Sequence, residues 1–164
     1  MKNITPAGKG LITGLTMIAL AVFFYYGLKQ PFESPYQYAI YTTYTIGIIW
    51  SILTFSKTAD VNTKFKEYFS IGFKTFIVVT LLMVVFVIAF FLLNPQIAEA
   101  KIALNNELAV KEGNHTPIEI EANAKQMKSI FIPMMSAITT FMYLFLGALI
   151  SAVTSGVIMQ MKKQ

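Results

Sequence analysis

The chain contains no arginine and no cysteine, and it has one histidine and one tryptophan in 164 residues. Arginine binds phosphates and carboxylates through two parallel hydrogen bonds, so its absence argues against a nucleic-acid partner despite the net charge of +5. The absence of cysteine excludes disulfides and thiolate metal sites. The single histidine, His115, has no paired carboxylate beside it, which gives neither a catalytic triad nor a metal site. We therefore predict no enzymatic activity, no catalytic residues, no cofactor and no nucleic-acid partner.

The chain is rich in apolar residues instead. Hydrophobic residues make up 55% of it and charged residues only 13%, whereas about a quarter of a soluble domain is charged. Four uncharged stretches approach or exceed the roughly 20 residues that a helix needs to cross a bilayer, namely residues 10–28, 36–55, 75–93 and 133–159. Lipid offers no hydrogen-bond partner to the backbone, and these stretches lack the alternation of a barrel strand. The sequence predicts an all-α integral membrane protein, a single four-helix transmembrane domain over residues 1–164 in a lipid bilayer.

Lysines are distributed unevenly between the two ends of these spans. One side carries eight lysines and two acidic residues: Lys2, Lys9, Lys57, Lys64, Lys66, Lys74, Lys162, Lys163, Asp60 and Glu67. The other side carries five lysines and six glutamates: Lys29, Lys101, Lys111, Lys125, Lys128, Glu33, Glu99, Glu107, Glu112, Glu119 and Glu121. Because the lysine-rich side faces the cytoplasm, we predict that both termini are cytoplasmic.

The loop between the second and third spans, residues 56–74, has an amphipathic pattern. Val61, Phe65, Phe69 and Phe73 recur every four residues, as on one face of a helix. One interpretation is a helix at the cytoplasmic interface, which would bind lipid headgroups through Lys57, Lys64, Lys66 and Lys74. The other is an N-terminal extension of the third span.

The connection between the third and fourth spans has the signals of two helices. Residues 96–112 are rich in helix formers, with Ile97, Leu104 and Leu108 on one side, and they are followed by the helix-stopping pair Gly113 and Asn114. Thr116, Pro117 and Glu119 then form a capping box, and the second helix continues through Pro133 into the fourth span with a bend. We predict an extracytoplasmic helical hairpin over residues 96–132, which could contact a second copy or a membrane or envelope protein.

Small and hydroxylated residues recur at four-residue spacing inside the spans. They are Gly10 and Gly14 on the first span, Thr43, Gly47, Ser51 and Thr54 on the second, and Gly147, Ser151 and Ser155 on the fourth. Such stripes let helices approach closely, and they serve either packing within the chain, an oligomer seam or a polar conduit. Tyr44 and Thr45 lie deeper in the second span, where their hydroxyls either bond neighbouring helices or line a small cleft.

Two functional hypotheses follow from these patterns. The predicted spans contain no ionisable residue, which a proton or ion pathway through lipid usually needs. The first hypothesis is therefore a non-enzymatic structural, interaction or regulatory membrane subunit that uses the hairpin. The alternative is a small oligomeric transporter or channel with a polar Thr/Ser/Tyr face on the second helix.

Several short motifs occur together along the chain. They are a Met-Lys-Asn start before a glycine-rich span, a Phe-Lys-x-x-x-x-x-Gly-Phe approach to the third span, an Asn-Pro exit and a last span ending in two lysines. Their residues include Phe65, Lys66, Gly72, Phe73, Asn94, Pro95, Thr140, Phe141, Gly147, Ser151, Lys162 and Lys163. With these motifs the chain resembles the four-span membrane family registered as domain of unknown function 4199, which is frequent in Bacteroidota.

The resemblance implies four spans and the bacterial inner (cytoplasmic) membrane, and it transfers no catalytic residue. The family usually has an acidic residue where this chain has Asn94, and often a glutamate where it has Met142 and Tyr143. This chain therefore lacks the acidic group on which a shared proton-coupled activity would depend.

Overall fold

The computed structural model describes residues 4–30, 34–113 and 116–163, and over these ranges its regular structure is helical, with no strand. The helices are α1 (Pro6–Val22, continued by a π-helical turn at Phe23–Gly27), α2 (Gln37–Ser56), α3 (Phe65–Leu93), α4 (Pro95–Glu112) and α5 (Pro117–Lys163). Among the described residues, four helices are long and apolar enough to cross a membrane, and these are Pro6–Gly27, α2, α3 and α5. The predicted all-α class with four candidate spans is confirmed. Lys2, Glu33, Asn114 and His115, which entered the sequence analysis, lie outside the described residues.

The start of α5 shows why the chain resumes a helix there. The Thr116 backbone N–H donates to Glu119 Oε2 at 2.7 Å, and the Glu119 N–H donates to Thr116 Oγ1 at 3.3 Å. This reciprocal pair satisfies N–H groups that a helix start would otherwise leave unbonded. The predicted capping box is confirmed, and α4 ends at Glu112, with a C-cap at Gly113, whose φ of 68° suits glycine.

The third helix begins earlier than the charge-free stretch predicts. It starts at Phe65 rather than at Thr75, and Lys64 N–H donates to Glu67 Oε2 at 2.8 Å across its first turn. Residues 65–74 are therefore an N-terminal extension of this helix, and Val61 lies in the turn before it. The boundary moved because charged residues are tolerated in a helix wherever it lies outside lipid.

The last helix is one continuous element of 47 residues. It passes through Pro133, which lacks an N–H and removes one backbone hydrogen bond. The predicted continuity across this proline is confirmed. Its 47 residues are more than twice the roughly 20 that a helix needs to cross a bilayer.

The chain forms two compact units, Met1–Met83 with Thr140–Gln164, and Val84–Thr139. The first unit buries large side chains from several helices, including Met17, Tyr44, Ile48, Ile52, Tyr68, Phe76 and Val79. Its exposed surface carries apolar side chains such as Ile46, Leu81 and Val153. Apolar helices with an apolar exterior indicate a lipid environment.

The second unit has its own aromatic core. Phe91 near the end of α3 contacts Phe131 of α5 edge to face, with ring centroids 5.1 Å apart, and both side chains are buried. On α4 the only buried residue is Ile102.

Candidate functional site

Glycines mark the places where helices of the first unit approach most closely. A Cβ added at Gly10 would lie 2.6 Å from the Thr75 carbonyl oxygen, and one at Gly14 would lie 2.6 Å from Leu82 Cδ1. Real Cβ atoms do not come this close, so α1 contacts α3 only because these positions lack side chains. The other two predicted stripes also contain a glycine in close contact with a neighbouring helix. A Cβ added at Gly47 would clash with Thr13, and one added at Gly147 would clash with Tyr44 and Phe76.

A buried hydroxyl pair joins three helices of this unit. Ser51 Oγ and Thr75 Oγ1 are 2.7 Å apart, and Thr75 Oγ1 also lies 3.2 Å from the Pro6 carbonyl and 3.0 Å from the Ile71 carbonyl. Thr75 has a single hydroxyl proton, so these three acceptors share or compete for it, and Ser51 Oγ is the nearest of them. The pair therefore connects the start of α1 with α2 and α3.

The hydroxyl stripe predicted on the second span is not uniformly buried. Gly47 and Ser51 are buried, whereas Thr43 and Thr54 are partly exposed and donate to carbonyls of their own helix, at Ala39 (2.8 Å) and Trp50 (2.7 Å). A threonine that bonds its own turn presents no free proton to a neighbouring helix or a solute. These four residues therefore do not form a continuous polar face.

The two serines of the α5 stripe are fully buried, and neither hydroxyl has a hydrogen-bond partner among the described residues. Ser151 lies against Gly72 of α3, where an added Cβ would be 2.7 Å from the Ser151 Cβ. The small size of both residues is what the contact requires. Gly72 is a packing position that the stripe analysis missed, because it is one isolated glycine on its helix.

Tyr44 is also fully buried, and its hydroxyl is satisfied by a neighbouring helix. It donates to the Tyr143 carbonyl at 2.6 Å, and the two rings meet edge to face at 5.1 Å. Thr45 donates to the Tyr41 carbonyl of its own helix at 2.9 Å. Of the two interpretations left open for these residues, the contacts favour bonded hydroxyls over a cleft.

Lys9 is the feature that sequence reasoning placed in the wrong environment. It was counted as a flanking charge outside the first span, but it lies within α1 and is 5% exposed. Its ammonium lies 5.3 Å from the centroid of the Trp50 ring, a cation–π distance, and no described carboxylate pairs with it. The sequence signal for its burial was the four-residue spacing that places Lys9 on one helix face with Thr13 and Met17, which are also buried.

The four lysines predicted to bind headgroups are all exposed: Lys57, Lys64, Lys66 and Lys74. Nothing in the structure tests their lipid contact, which stays a prediction. At the same loop Lys162 Nζ donates to the Ala59 carbonyl at 2.5 Å, so the last turn of α5 is attached to the connection between α2 and α3.

In the second unit, α4 lies beside the first part of α5. Lys128 Nζ is 2.9 Å from Glu99 Oε1, and both side chains are exposed. A groove of about 400 Å³ runs along the seam between the two helices, lined by Ile102, Asn105, Asn106, Ala109, Ile120, Asn123, Gln126, Met127 and Ile130. Four of these nine side chains are amides and the other five are apolar, so the seam has mixed polarity.

Leu104 and Leu108 of α4 lie away from the seam with α5. Leu104 is 57% exposed and Leu108 is 48% exposed, while Ile102 on the seam is 8% exposed. The α4 outer face consists of Ile97, Lys101, Leu104, Leu108 and Lys111, which fall on one side of the helix at its 3.6-residue period. The sequence predicted that Ile97, Leu104 and Leu108 share a side, but it did not identify the amide-rich side as the one that meets α5.

Among the described residues, no group of three or more His, Cys, Asp or Glu side chains could hold a metal ion. A family model described as "Protein of unknown function (DUF4199)" matches residues 9–160, from the second turn of α1 to near the end of α5. No curated protein and no solved structure matches the chain. The resemblance inferred from short motifs is confirmed.

Proposed function

The chain belongs to the DUF4199 family of proteins of unknown function, and we propose that it is a non-enzymatic subunit of the bacterial inner membrane that contacts a partner protein or envelope component. The proposed contact region is the helical hairpin, residues 96–132. The observation that carries this proposal is the α4 outer face, which exposes Leu104 and Leu108 on a helix that is not a candidate span. Exposed contiguous apolar side chains outside lipid are typical of interaction sites.

The proposed topology places this hairpin outside the cytoplasm. The hydrogen bond from Lys162 to the Ala59 carbonyl supports placing the end of α5 and the α2–α3 loop on the same side of the membrane. That side also carries most of the lysines, which favours the cytoplasm. Four spans then bring the turn between α4 and α5 to the opposite side.

The transporter or channel alternative ranks second. Thr43 and Thr54 bond their own helix, and Gly47 is closed by Thr13, so the α2 hydroxyls support packing within the chain more than they support a conduit. Among the described residues Lys9 is the only buried charged side chain, and it lies on a candidate span, where a transport hypothesis could use it.

Topology can be tested directly because the chain has no native cysteine. Lys111→Cys and Lys66→Cys each introduce one thiol at an exposed position. With intact spheroplasts and a membrane-impermeant maleimide, we expect labelling of Lys111→Cys, and labelling of Lys66→Cys only after permeabilisation. The reverse pattern would contradict the proposed orientation.

The partner contact is tested by a crosslinked, mild-detergent pull-down with mass spectrometry, in membranes of the native host. We expect one reproducible second protein that is lost when residues 97–128 are deleted. It should also be lost in the double variant Leu104→Gln/Leu108→Gln and retained in Val110→Gln, a matched control at another exposed apolar residue of α4. Recovery of a pure homo-oligomer would favour the conduit instead.

A further inference from the structure

Two of the four exposed lysines around the start of α3 lie on one side of that helix. The α3 outer stripe consists of residues at successive spacings of four, four, three and four, namely Lys66, Ser70, Lys74, Ile77 and Leu81. The other two lysines are not on it, since Lys57 is the C-cap of α2 and Lys64 precedes α3. The stripe is therefore basic at one end and apolar at the other.

This stripe faces away from the core of the first unit. The buried side of α3 in this unit consists of Tyr68, Gly72, Thr75, Phe76 and Val79. With 3.6 residues per turn, the middle of the buried side and the middle of the outer stripe are about 180° apart around the helix. Leu81 is 63% exposed, and an apolar side chain on the outside of a candidate span contacts acyl chains in a bilayer.

The basic end of the stripe lies at the depth of the lipid headgroups. Lys74 is the last charged residue before the uncharged residues 75–93, and Ser70 lies about 6 Å further along the helix. The headgroup layer adds about 5–8 Å beyond the hydrocarbon core, so Lys74 and Ser70 both lie within or at the edge of that layer. Lys66, about 12 Å from Lys74, lies close enough to the surface to attract anionic headgroups.

The acidic residues near this end do not pair with the stripe. They are Asp60, in the turn before α3, and Glu67, whose Oε2 accepts the Lys64 N–H at 2.8 Å. Glu67 is adjacent to Lys66 in the sequence but lies seven residues, or about 10 Å along the helix, from Lys74. No described ion pair or hydrogen bond involves the side chain of Lys66 or Lys74. Both ammonium groups therefore remain available to an external anion.

Phosphate matches these groups, because an ammonium binds it as a point charge and a hydroxyl donates to its oxygens. We propose that Lys74 and Ser70, assisted by Lys66, bind the phosphate headgroup of an anionic phospholipid whose acyl chains lie along Ile77 and Leu81. A free phosphate ion would use the basic end alone, whereas a lipid uses the whole stripe. This inference requires neither the proposed partner nor the proposed orientation.

The test measures lipid binding to the full chain by native mass spectrometry from a neutral detergent. The probes are phosphatidylglycerol and phosphatidylcholine with identical acyl chains, so that they differ in the headgroup and its net charge. We expect phosphatidylglycerol to bind about tenfold more tightly, as two lysines near a headgroup would give. Millimolar inorganic phosphate should not displace it, because this ion gains nothing from the apolar end of the stripe.

Two matched pairs of substitutions locate the site. Lys66→Gln/Lys74→Gln should lower the affinity for phosphatidylglycerol about tenfold, to that for phosphatidylcholine, and unchanged binding of phosphatidylcholine shows that the variant is folded. Lys57→Gln/Lys64→Gln removes two positive charges from the same loop region but not from the stripe, so its loss should be less than about threefold. Ser70→Ala should weaken binding about threefold, the effect of one hydrogen bond.

Equal losses in the two lysine pairs would overturn the inference, because they would show attraction to overall charge and not a site on α3. Equal affinity of the parent chain for the two lipids, or displacement by inorganic phosphate, would overturn it as well. So would a Ser70→Cys disulfide between copies in native membranes, since the stripe would then face a second copy. The partner proposal is tested separately, because its pull-down depends on residues 97–128.

Discussion

Two glycines of α5 provide a paired test of the packing described for the first unit. A Cβ added at Gly147 would lie 2.6 Å from Phe76 Cγ and would also meet the Tyr44 hydroxyl, whereas one added at Gly156 would have no atom within 4 Å. The same substitution of glycine by alanine is thus made twice in one helix, at Gly147 where another helix lies in contact and at Gly156 where no atom is close. The structure predicts opposite signs for the two substitutions.

The magnitudes follow from three contributions. An extra carbon in a filled core costs about 1–3 kcal/mol. Displacing the Tyr44 hydroxyl from the Tyr143 carbonyl adds about 0.6 kcal/mol, a typical interhelical value in membranes. Alanine is favoured over glycine in a helix by about 0.5–1 kcal/mol. Gly147→Ala should therefore lower the free energy of unfolding by about 1–3 kcal/mol, and Gly156→Ala should raise it by about 0.5–1 kcal/mol.

The assay is reversible unfolding in mixed micelles by titration with a denaturing detergent. Trp50 is the only tryptophan, so its emission reports on the first unit without interference. Circular dichroism at 222 nm provides a second probe of the same transition. If Gly147→Ala proved as stable as Gly156→Ala, the close contact between α5 and Tyr44 would be refuted.

Two further pairs of substitutions test the polar contacts of the first unit in the same titration. Thr75→Val keeps the shape but leaves the Ser51 hydroxyl without its partner, so it should destabilise by about 1–2 kcal/mol, while Thr54→Val, whose hydroxyl bonds only its own helix, should change stability by less than half of that. Trp50→Leu removes the ring beside Lys9 and should cost about 0.5–2 kcal/mol, measured by circular dichroism, and equal stability of Trp50→Phe and Trp50→Leu would contradict a cation–π contribution.

The sequence predicted the features that depend on the lipid environment and on residues close together in the chain. Uncharged stretches of near 20 residues identified four candidate spans, because every charge inside lipid carries a large cost. The Thr116–Glu119 box was equally accessible, since capping depends on residues three apart along the chain. Helix caps and membrane spans can therefore both be predicted without knowing which helices contact each other.

The features that the sequence did not predict depend on which helix each helix face contacts. Hydropathy marks where charge ends and not where a helix begins, so it left two interpretations open for residues 56–74, and the start of α3 at Phe65 favours the N-terminal extension. Lys9 counted as a flank because its partner, Trp50, is more than forty residues away. The periodicity of α4 showed two faces but did not assign either one to α5, and the apolar face was the natural choice.

The role of α4 as the proposed interaction helix is supported by comparing how closely the side chains of each unit pack. In the first unit, glycines and short hydroxyl residues bring helices so close that Gly10, Gly47 and Gly147 have no room for a methyl group. In the second unit, an open groove of about 400 Å³ with four amides among its nine lining side chains runs along the seam of α4, and Leu104 and Leu108 stay exposed. The closely packed helices of the first unit are expected to carry stability, and the exposed leucines of α4 are available for binding. The contacts of the proposed partner should therefore depend on Leu104 and Leu108 of α4, so Thr54→Val of α2, used as a further control in the pull-down, should retain the partner that Leu104→Gln/Leu108→Gln loses.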